Sequence, residues 1–202
     1  MMELQKIEEV AELLARGEVV AVPTESSFAL CARVDSPTGL QRLFSYKPER
    51  KKPIPLVISD PAMLAPYVEE IPEIAVRLIE RFWPGPLTLV FPATEQIPEE
   101  IHQGTKSAGV RQPGLKILCE LCKIASVPLT ATSANRPGDP PITTVEELKR
   151  VFPDLPIWSV LPRTPGGPPS TILDLRHRPP QILREGRIPT GEILSFLSQI
   201  SR

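Results

Sequence analysis

Three short polar clusters in this chain of 202 residues stand at the ends of small apolar runs. Thr132-Ser133-Ala134-Asn135-Arg136-Pro137-Gly138 follows Val127 to Ala131, Pro23-Thr24-Glu25-Ser26-Ser27 follows Val19 to Val22, and Ser170-Thr171 precedes Ile172 to Leu175. Strand ends bearing hydroxyls, an amide and a carboxylate are where α/β proteins hold ligands. Three such edges meeting at one cleft would make a site for a small charged molecule. Ser133 and Asn135, two residues apart, face the same way in an extended stretch and suit a phosphate or a base edge; the same pair would equally satisfy a turn. Glu25 suits an amine, a metal or a hydroxyl, or else serves as a loop carboxylate or helix cap.

The cationic candidates are Lys47, Arg50, Lys51 and Lys52 in one run, then Arg111 and Arg184. The run reads as a solvated loop when taken alone. Arg111 follows the small apolar run Ala108 to Val110 and so stands at a strand end, where its fork matches carboxylate or phosphate, or closes an internal ion pair. Arg184 precedes Glu185-Gly186 after another strand, and a nearby carboxylate is its plain alternative partner. No GxxxxGK[ST] or GxGxxG phosphate loop and no GxSxG elbow occurs, and His102 and His177 offer no evident partner to a nucleophilic serine. Cys119 and Cys122 share the apolar face of an amphipathic helix and read as core. With Cys31 they make an odd count, against a disulfide framework, and no zinc ligand set is evident.

The elements that must position these residues are short. Helical periodicity marks 3–16 (ended by Gly17), 38–44, 72–82, 115–125, 145–152 (capped by Thr144, with Glu147 completing a capping box) and 191–200. Strands are expected at 19–22, 54–58, 87–91, 108–110, 127–131, 157–161, 172–175 and 181–183, the last two paired across Arg178-Pro179-Pro180. Asp60 caps a short helix that opens on Pro61. This alternation predicts an α/β fold on a twisted mixed sheet in a single domain, 1–202, with 189–202 a C-terminal helix. The 26 prolines fall between periodic segments and punctuate a folded chain. A formal charge of −1 excludes a strong global pull on nucleic acid or membrane. Neither a membrane span nor a secretory signal is evident, so the expectation is a soluble cytoplasmic protein.

Taken together, the clusters resemble the YrdC-like family, the threonylcarbamoyl-AMP synthases. The resemblance spans about residues 4 to 188. It rests on Pro23-Thr24-Glu25, Phe82-Trp83-Pro84-Gly85-Pro86-Leu87-Thr88, Gly109-Val110-Arg111-Gln112-Pro113, Thr132-Ser133-Ala134-Asn135 with Gly138, Ser170-Thr171-Ile172-Leu173-Asp174, and Arg184-Glu185-Gly186, in the family's order. It implies a single open sheet with flanking helices around a concave, basic cavity. It also implies an ATP-dependent nucleotidyltransferase that condenses L-threonine, bicarbonate or carbon dioxide, and ATP to threonylcarbamoyl-AMP and pyrophosphate. Partner proteins then modify tRNA, and double-stranded RNA binding is associated with some members.

By that resemblance Thr24 would contact substrate near the adenylate. Arg50, with Lys47 beside it, would hold phosphates, and Ser133 and Asn135 would grip nucleotide phosphate. Ser170 would add a hydroxyl and Arg184 a positive contact, while Arg111 follows the strand bordering the site. Mg2+ would arrive with ATP, and no protein metal site is implied. The chain departs from the family pattern at Phe28 and Ala29 (usually a tyrosine and a glycine), at Lys47 (one residue further from Arg50), at Ser59 (often histidine) and at Pro137 (commonly serine). Two other readings follow: a YrdC-like paralogue that binds nucleotide or double-stranded RNA with little synthase activity, and a related adenylation of another amine.

Overall fold

The computed structural model describes residues 2–48 and 50–200. Met1, Glu49, Ser201 and Arg202 lie outside the described residues, and with them one position of the Lys47–Arg50 motif and the last two of the expected C-terminal helix.

In chain order the elements begin β1 (Glu3–Leu4), α1 (Ile7–Ala15), β2 (Val20–Pro23), β3 (Phe28–Cys31), α2 (Pro37–Tyr46), β4 (Leu56–Val57) and a 3-10 turn (Pro61–Leu64). There follow α3 (Glu73–Phe82), β5 (Leu87–Pro92), α4 (Glu99–His102), β6 (Ser107–Arg111), α5 (Lys116–Ala125), β7 (Leu129–Thr130) and β8 (Thr132–Ser133). The chain closes with α6 (Val145–Val151), β9 (Ile157–Trp158), β10 (Thr171–Asp174), β11 (Gln181–Arg184) and α7 (Thr190–Ile200).

Local chemistry sets many boundaries. Gly17, at φ +77°, ends α1. The Gly17 N–H donates to Leu14 O at 3.1 Å and the Glu18 N–H to Leu13 O at 3.0 Å, the paired bonds that satisfy the last helical carbonyls. The Ser36 hydroxyl caps α2 by accepting from Gly39 N–H at 3.1 Å, and Asp60 caps the 3-10 turn by accepting from Ala62 N–H at 2.8 Å. Thr144 accepts from Glu147 N–H at 3.2 Å at the start of α6.

Tertiary pairing overrides local preference elsewhere. The helix expected over 3–16 starts only at Ile7, because residues 3–4 pair in parallel with β9. There the Ile157 and Ser159 N–H groups donate to Met2 O and Leu4 O. The strand β3 and the short α4 carry no periodic signal in the sequence. The expected pairing of β10 with β11 is present and antiparallel.

One sheet was the expectation, and the hydrogen-bonded strands form two mixed sheets. Their orders are β1-β9-β2-β3-β8 and β11-β10-β5-β6-β4-β7. Of the expected strand over 127–131 only Leu129–Thr130 is paired, in one sheet, and the chain passes into the other just beyond it, at Thr132. Side-chain chemistry stitches this seam. The Thr130 N–H donates to Ala32 O at 2.9 Å, and the fully buried Thr130 hydroxyl accepts from Ala32 N–H at 2.9 Å. A hydroxyl thus replaces a carbonyl where the ladder changes partner.

The pleat of β2 and β3 feeds two cores. Val20, Val22, Ala29 and Cys31 join Val10, Leu14, Leu118, Leu121, Cys122 and Trp158. Ala21, Phe28 and Leu30 join Leu43, Leu56, Leu89 and Phe91 on the other side. Burial on both faces explains why these strands read as unbroken apolar runs. Cys122 lies in the core as expected, whereas Cys119 is half-exposed and its thiol donates to Pro113 O at 3.0 Å. Among the described residues no helix is long and apolar enough to cross a membrane.

Replacing Thr130 by valine keeps the shape and strips Ala32 N–H of its buried acceptor. A loss of about 1–3 kcal/mol is expected, read as a lower urea midpoint at unchanged slope. Thr130→Ser restores the hydroxyl and should regain stability relative to valine; equal midpoints for the two variants would remove the hydroxyl from the account of the seam.

Candidate active site

The strand ends singled out in the sequence do meet. Thr24, Arg50, Arg111, Ser133, Ser170 and Arg184 line one cavity of about 240 Å³. Thr24 follows β2, Ser133 ends β8, Ser170 precedes β10, and Arg111 and Arg184 end β6 and β11. Lys47 and Asn135 lie on an adjoining groove of about 400 Å³, which shares Arg50 and Ser133 with the cavity and adds Lys51 and Lys52. A ligand filling only the cavity would be small, and an elongated one could reach into the groove.

Several of these side chains are committed to one another. The buried Thr24 hydroxyl donates to Ser27 O at 2.7 Å and accepts from the Ser26 and Ser27 N–H groups at 3.3 Å. It shapes the turn that brings Ser26 and Ser27 to the cavity wall. Ser133 and Asn135 share a side, as extended spacing suggests, and they also make the turn. Ser133 Oγ donates to Asn135 Oδ1 at 2.7 Å, the Asn135 N–H donates to Ser133 O at 3.1 Å, and Asn135 Nδ2 donates to Asp139 O at 2.6 Å. Lys47 Nζ donates to Asn135 Oδ1 at 2.8 Å and to the Asn135 backbone carbonyl. Ser170 Oγ shares a 2.8 Å hydrogen bond with Thr88 Oγ1.

Of the two readings of Arg111, the ion pair is the one the geometry displays. Its guanidinium straddles Glu25 at 2.8 and 3.1 Å, with the two side chains only 11% and 19% exposed. Burial pulls the Glu25 carboxyl upward, but Arg111's charge and hydrogen bonds, with the Gly114 N–H at 2.5 Å, outweigh it and hold the group below its ordinary value. Arg111 therefore lines the cavity with its fork already filled.

The other cations rest on neutral acceptors. Arg50 donates to Lys52 O at 2.9 Å, Pro53 O at 2.7 Å and Thr132 Oγ1 at 3.0 Å. Arg184 donates to Ser170 O at 2.8 and 3.1 Å. Among the described residues, no carboxylate lies within ion-pair distance of Lys47, Arg50 or Arg184. Burial and then Arg50 lower the Lys47 ammonium to about 8. Burial and then Arg184 lower Arg50, and burial and then Arg111 lower Arg184. Lys47, Arg50, Arg184 and Arg111 thus form a row in which each feels the next, with one carboxylate at one end.

Sequence reasoning missed Thr88 as a site residue and gave Thr132 no role beyond membership of its cluster. A threonine inside the apolar run 87–91 was the available signal for Thr88. Nothing local points to Glu25 as the partner of a residue 86 positions away. Among the described residues no group of three or more His, Cys, Asp or Glu side chains could hold a metal ion.

Comparison with known proteins identifies the family and the fold. The family profile described as Sua5, YciO and YrdC, telomere recombination, matches residues 12–186. A threonylcarbamoyl-AMP synthase of Pyrococcus abyssi is 34% identical over 198 residues, covering 96% of this chain and 58% of that relative, so the chain spans less than two thirds of its length. The threonylcarbamoyl-AMP synthase of Vibrio campbellii is 31% identical over 187 residues, covering 91% of this chain and all of that protein. The crystal structure of P. abyssi Sua5 complexed with L-threonine superposes with a TM-score of 0.88 at 32% identity, over 96% of this chain and 60% of that one. Escherichia coli YciO, at 24% identity and a TM-score of 0.77 over 92% and 94% of the two chains, shares the fold.

Breaking the Glu25–Arg111 pair tests its energetic weight. Glu25→Gln should cost about 3 kcal/mol at pH 7, because it leaves a largely buried guanidinium short of its counter-charge. The carboxyl is lowered by folding, so its contribution is present above the ordinary value of 4.5 and is lost as pH falls through the lower folded value. Urea titrations at pH 7 and below 4.5 should show the gap between wild type and variant closing in acid. A gap independent of pH would show that the charge is not its source.

Proposed function

The chain belongs to the Sua5, YciO and YrdC family and is homologous to threonylcarbamoyl-AMP synthases; from that premise we propose that it condenses L-threonine, bicarbonate or carbon dioxide, and ATP to threonylcarbamoyl-AMP and pyrophosphate. Such a product serves tRNA threonylcarbamoyladenosine modification, to which partner proteins would carry it.

The observation that carries this reading is that Lys47, Arg50 and Arg184 have no carboxylate within ion-pair distance among the described residues. The reaction must bring two anions together: the oxygen of a carbamate attacks the α-phosphorus of ATP, and pyrophosphate departs. The barrier comes from their repulsion and from charge gathering on the phosphoryl oxygens, so the protein needs fixed positive groups and no covalent nucleophile. Lys47, Arg50 and Ser133 face the groove and would take the phosphates, while Arg184 and Ser170 would hold the second anion in the cavity. Thr24 acts here as the organiser of its turn, Asn135 as the anchor of Lys47, and Arg111 as the wall held by Glu25. The site offers cations and hydroxyls, and its one carboxylate is engaged, so the residues do not fit a magnesium ion held by protein groups; magnesium would enter chelated to the triphosphate.

Incubation of the pure protein with ATP, labelled bicarbonate and threonine should yield threonine-dependent pyrophosphate and an AMP adduct. Tight nucleotide or RNA binding without turnover would favour a binding paralogue, and turnover only with another amino acid would favour a different amine. Arg50→Ala should weaken ATP binding roughly 10- to 100-fold, the size of one or two charge-assisted hydrogen bonds. Ser133→Ala should weaken ATP binding more than it lowers thermal stability; equal affinity with a lower melting temperature would sink its site role. ATP affinity should also fall as pH rises through about 8, where Lys47 loses its proton. Lys47→Met should bind more weakly at neutral pH and lack that step.

A further inference from the structure

Carbamate formation needs a neutral amine, and an amino acid at neutral pH carries an ammonium. A side-chain base is the usual means of removing the proton, and among the described residues the cavity offers none. Neither histidine, His102 on α4 or His177 after β10, lines it. Glu25 is the one carboxylate beside it among the described residues, and both of its oxygens accept hydrogen bonds from Arg111, one of them also from Gly114. Cys119, beside that pair, is a thiol whose proton is held more tightly than usual by burial and then by Glu25.

What the cavity does offer is uncompensated positive charge, reaching it from several elements. Arg50 comes from the stretch after α2, with Lys47, Lys51 and Lys52 in the adjoining groove. Arg184 comes from the end of β11, and Arg111, offset by Glu25, from the end of β6. The Arg187 guanidinium stands behind Gly167 on the lining, where a Cβ would come within 2.9 Å of it.

Resting on the synthase reading above, we propose that the cavity admits its amino-acid substrate as the free amine, with the guanidinium surplus, and no side-chain base, driving the ammonium proton to water. The charge count favours each step. The neutral zwitterion seats its carboxylate on a guanidinium and loses a proton to solvent, becoming a monoanion. The amine lone pair then attacks the carbon of CO2, a C=O π pair moves onto oxygen, and a second N–H proton leaves to water, giving a dianionic carbamate. Every proton lost brings the ligand closer to the charge its surroundings demand. The Lys47 ammonium in the adjoining groove is lowered by burial first, with Arg50 adding to the same effect. A bound triphosphate would cancel the surplus, so the amino acid and CO2 enter before the nucleotide.

Calorimetric titration of L-threonine into the nucleotide-free protein, in buffers of different ionisation enthalpy at pH 7.5, counts the protons exchanged. Roughly one proton released per threonine bound is expected. Arg184→Gln, or Arg50→Gln should the first variant not fold, should reduce the release, and so should pre-binding of the imidotriphosphate analogue of ATP. Threonine binding with no proton released overturns the inference and leaves the synthase reading standing, and so does a release that neither variant changes. No threonine binding under any of these conditions overturns both. A merely structural role for the arginines would alter affinity without altering the proton count.

Discussion

Cations held without counter-ions are the constraint on which the site depends. Taking a guanidinium or ammonium out of water is costly, and proteins usually offset the cost with a carboxylate. Here the buried Lys47, the half-buried Arg50 and the more exposed Arg184 rest on carbonyl and hydroxyl oxygens: Asn135 O, Lys52 O, Pro53 O, Thr132 Oγ1 and Ser170 O. These dipoles fix the direction of each cation while leaving its charge for a ligand to answer. A carboxylate in the same positions would have supplied the stability and cancelled the field. Arg111, which does have its carboxylate, shows the contrast, since its fork is closed by Glu25.

The stretch that carries Thr132, Ser133 and Asn135 follows directly on the break between the two sheets. Residues 129–133 leave one ladder and join the other, and Thr132 and Ser133 face the cavity just past that change. The Thr130 hydroxyl keeps the break closed from within. On the far side, β10 pairs with both β5 and β11, which brings Ser170, Thr88 and Arg184 together at one end. A ligand cavity where strand connections diverge is a recurring solution in α/β architecture, because carbonyls and side chains there are not all consumed by the ladder.

Three departures from the family's pattern acquire physical meaning. Phe28 is fully buried in the larger core and pairs with Pro23 across β2 and β3, so its missing hydroxyl is lost from the core and not from the cavity wall. Ala29 has a Cβ where glycine is usual, and it lies in a regular extended strand, buried against the smaller core while still reaching the cavity. Ser59, at a position often histidine, donates to Met63 Sδ at 2.9 Å, and its carbonyl accepts from Gln112 Nε2 at 2.8 Å. It serves the 3-10 turn.

Much of this was legible in the residues themselves. Helical periodicity, capping serines and threonines, and Gly17 act within a turn or two, so α1, α2, α3, α5 and α6 could be read to within a few residues. The strand-end clusters and the cations singled out in the sequence named Thr24, Arg50, Arg111, Ser133, Ser170 and Arg184, six of the cavity's residues, because hydroxyls and arginines beside buried apolar runs stand out from the core. Long-range pairing lay beyond that reach. Residues 3–4 leave a helix for pairing with 157–158, the chain passes from one sheet to the other between Thr130 and Thr132, and Glu25 finds Arg111. Each is settled by groups that meet only once the chain has folded. By itself the sequence determined which side chains carry charge and which local turns they sit on. Only the tertiary structure decided which of those charges would be cancelled, because an ion pair depends on distance in space and not on separation along the chain.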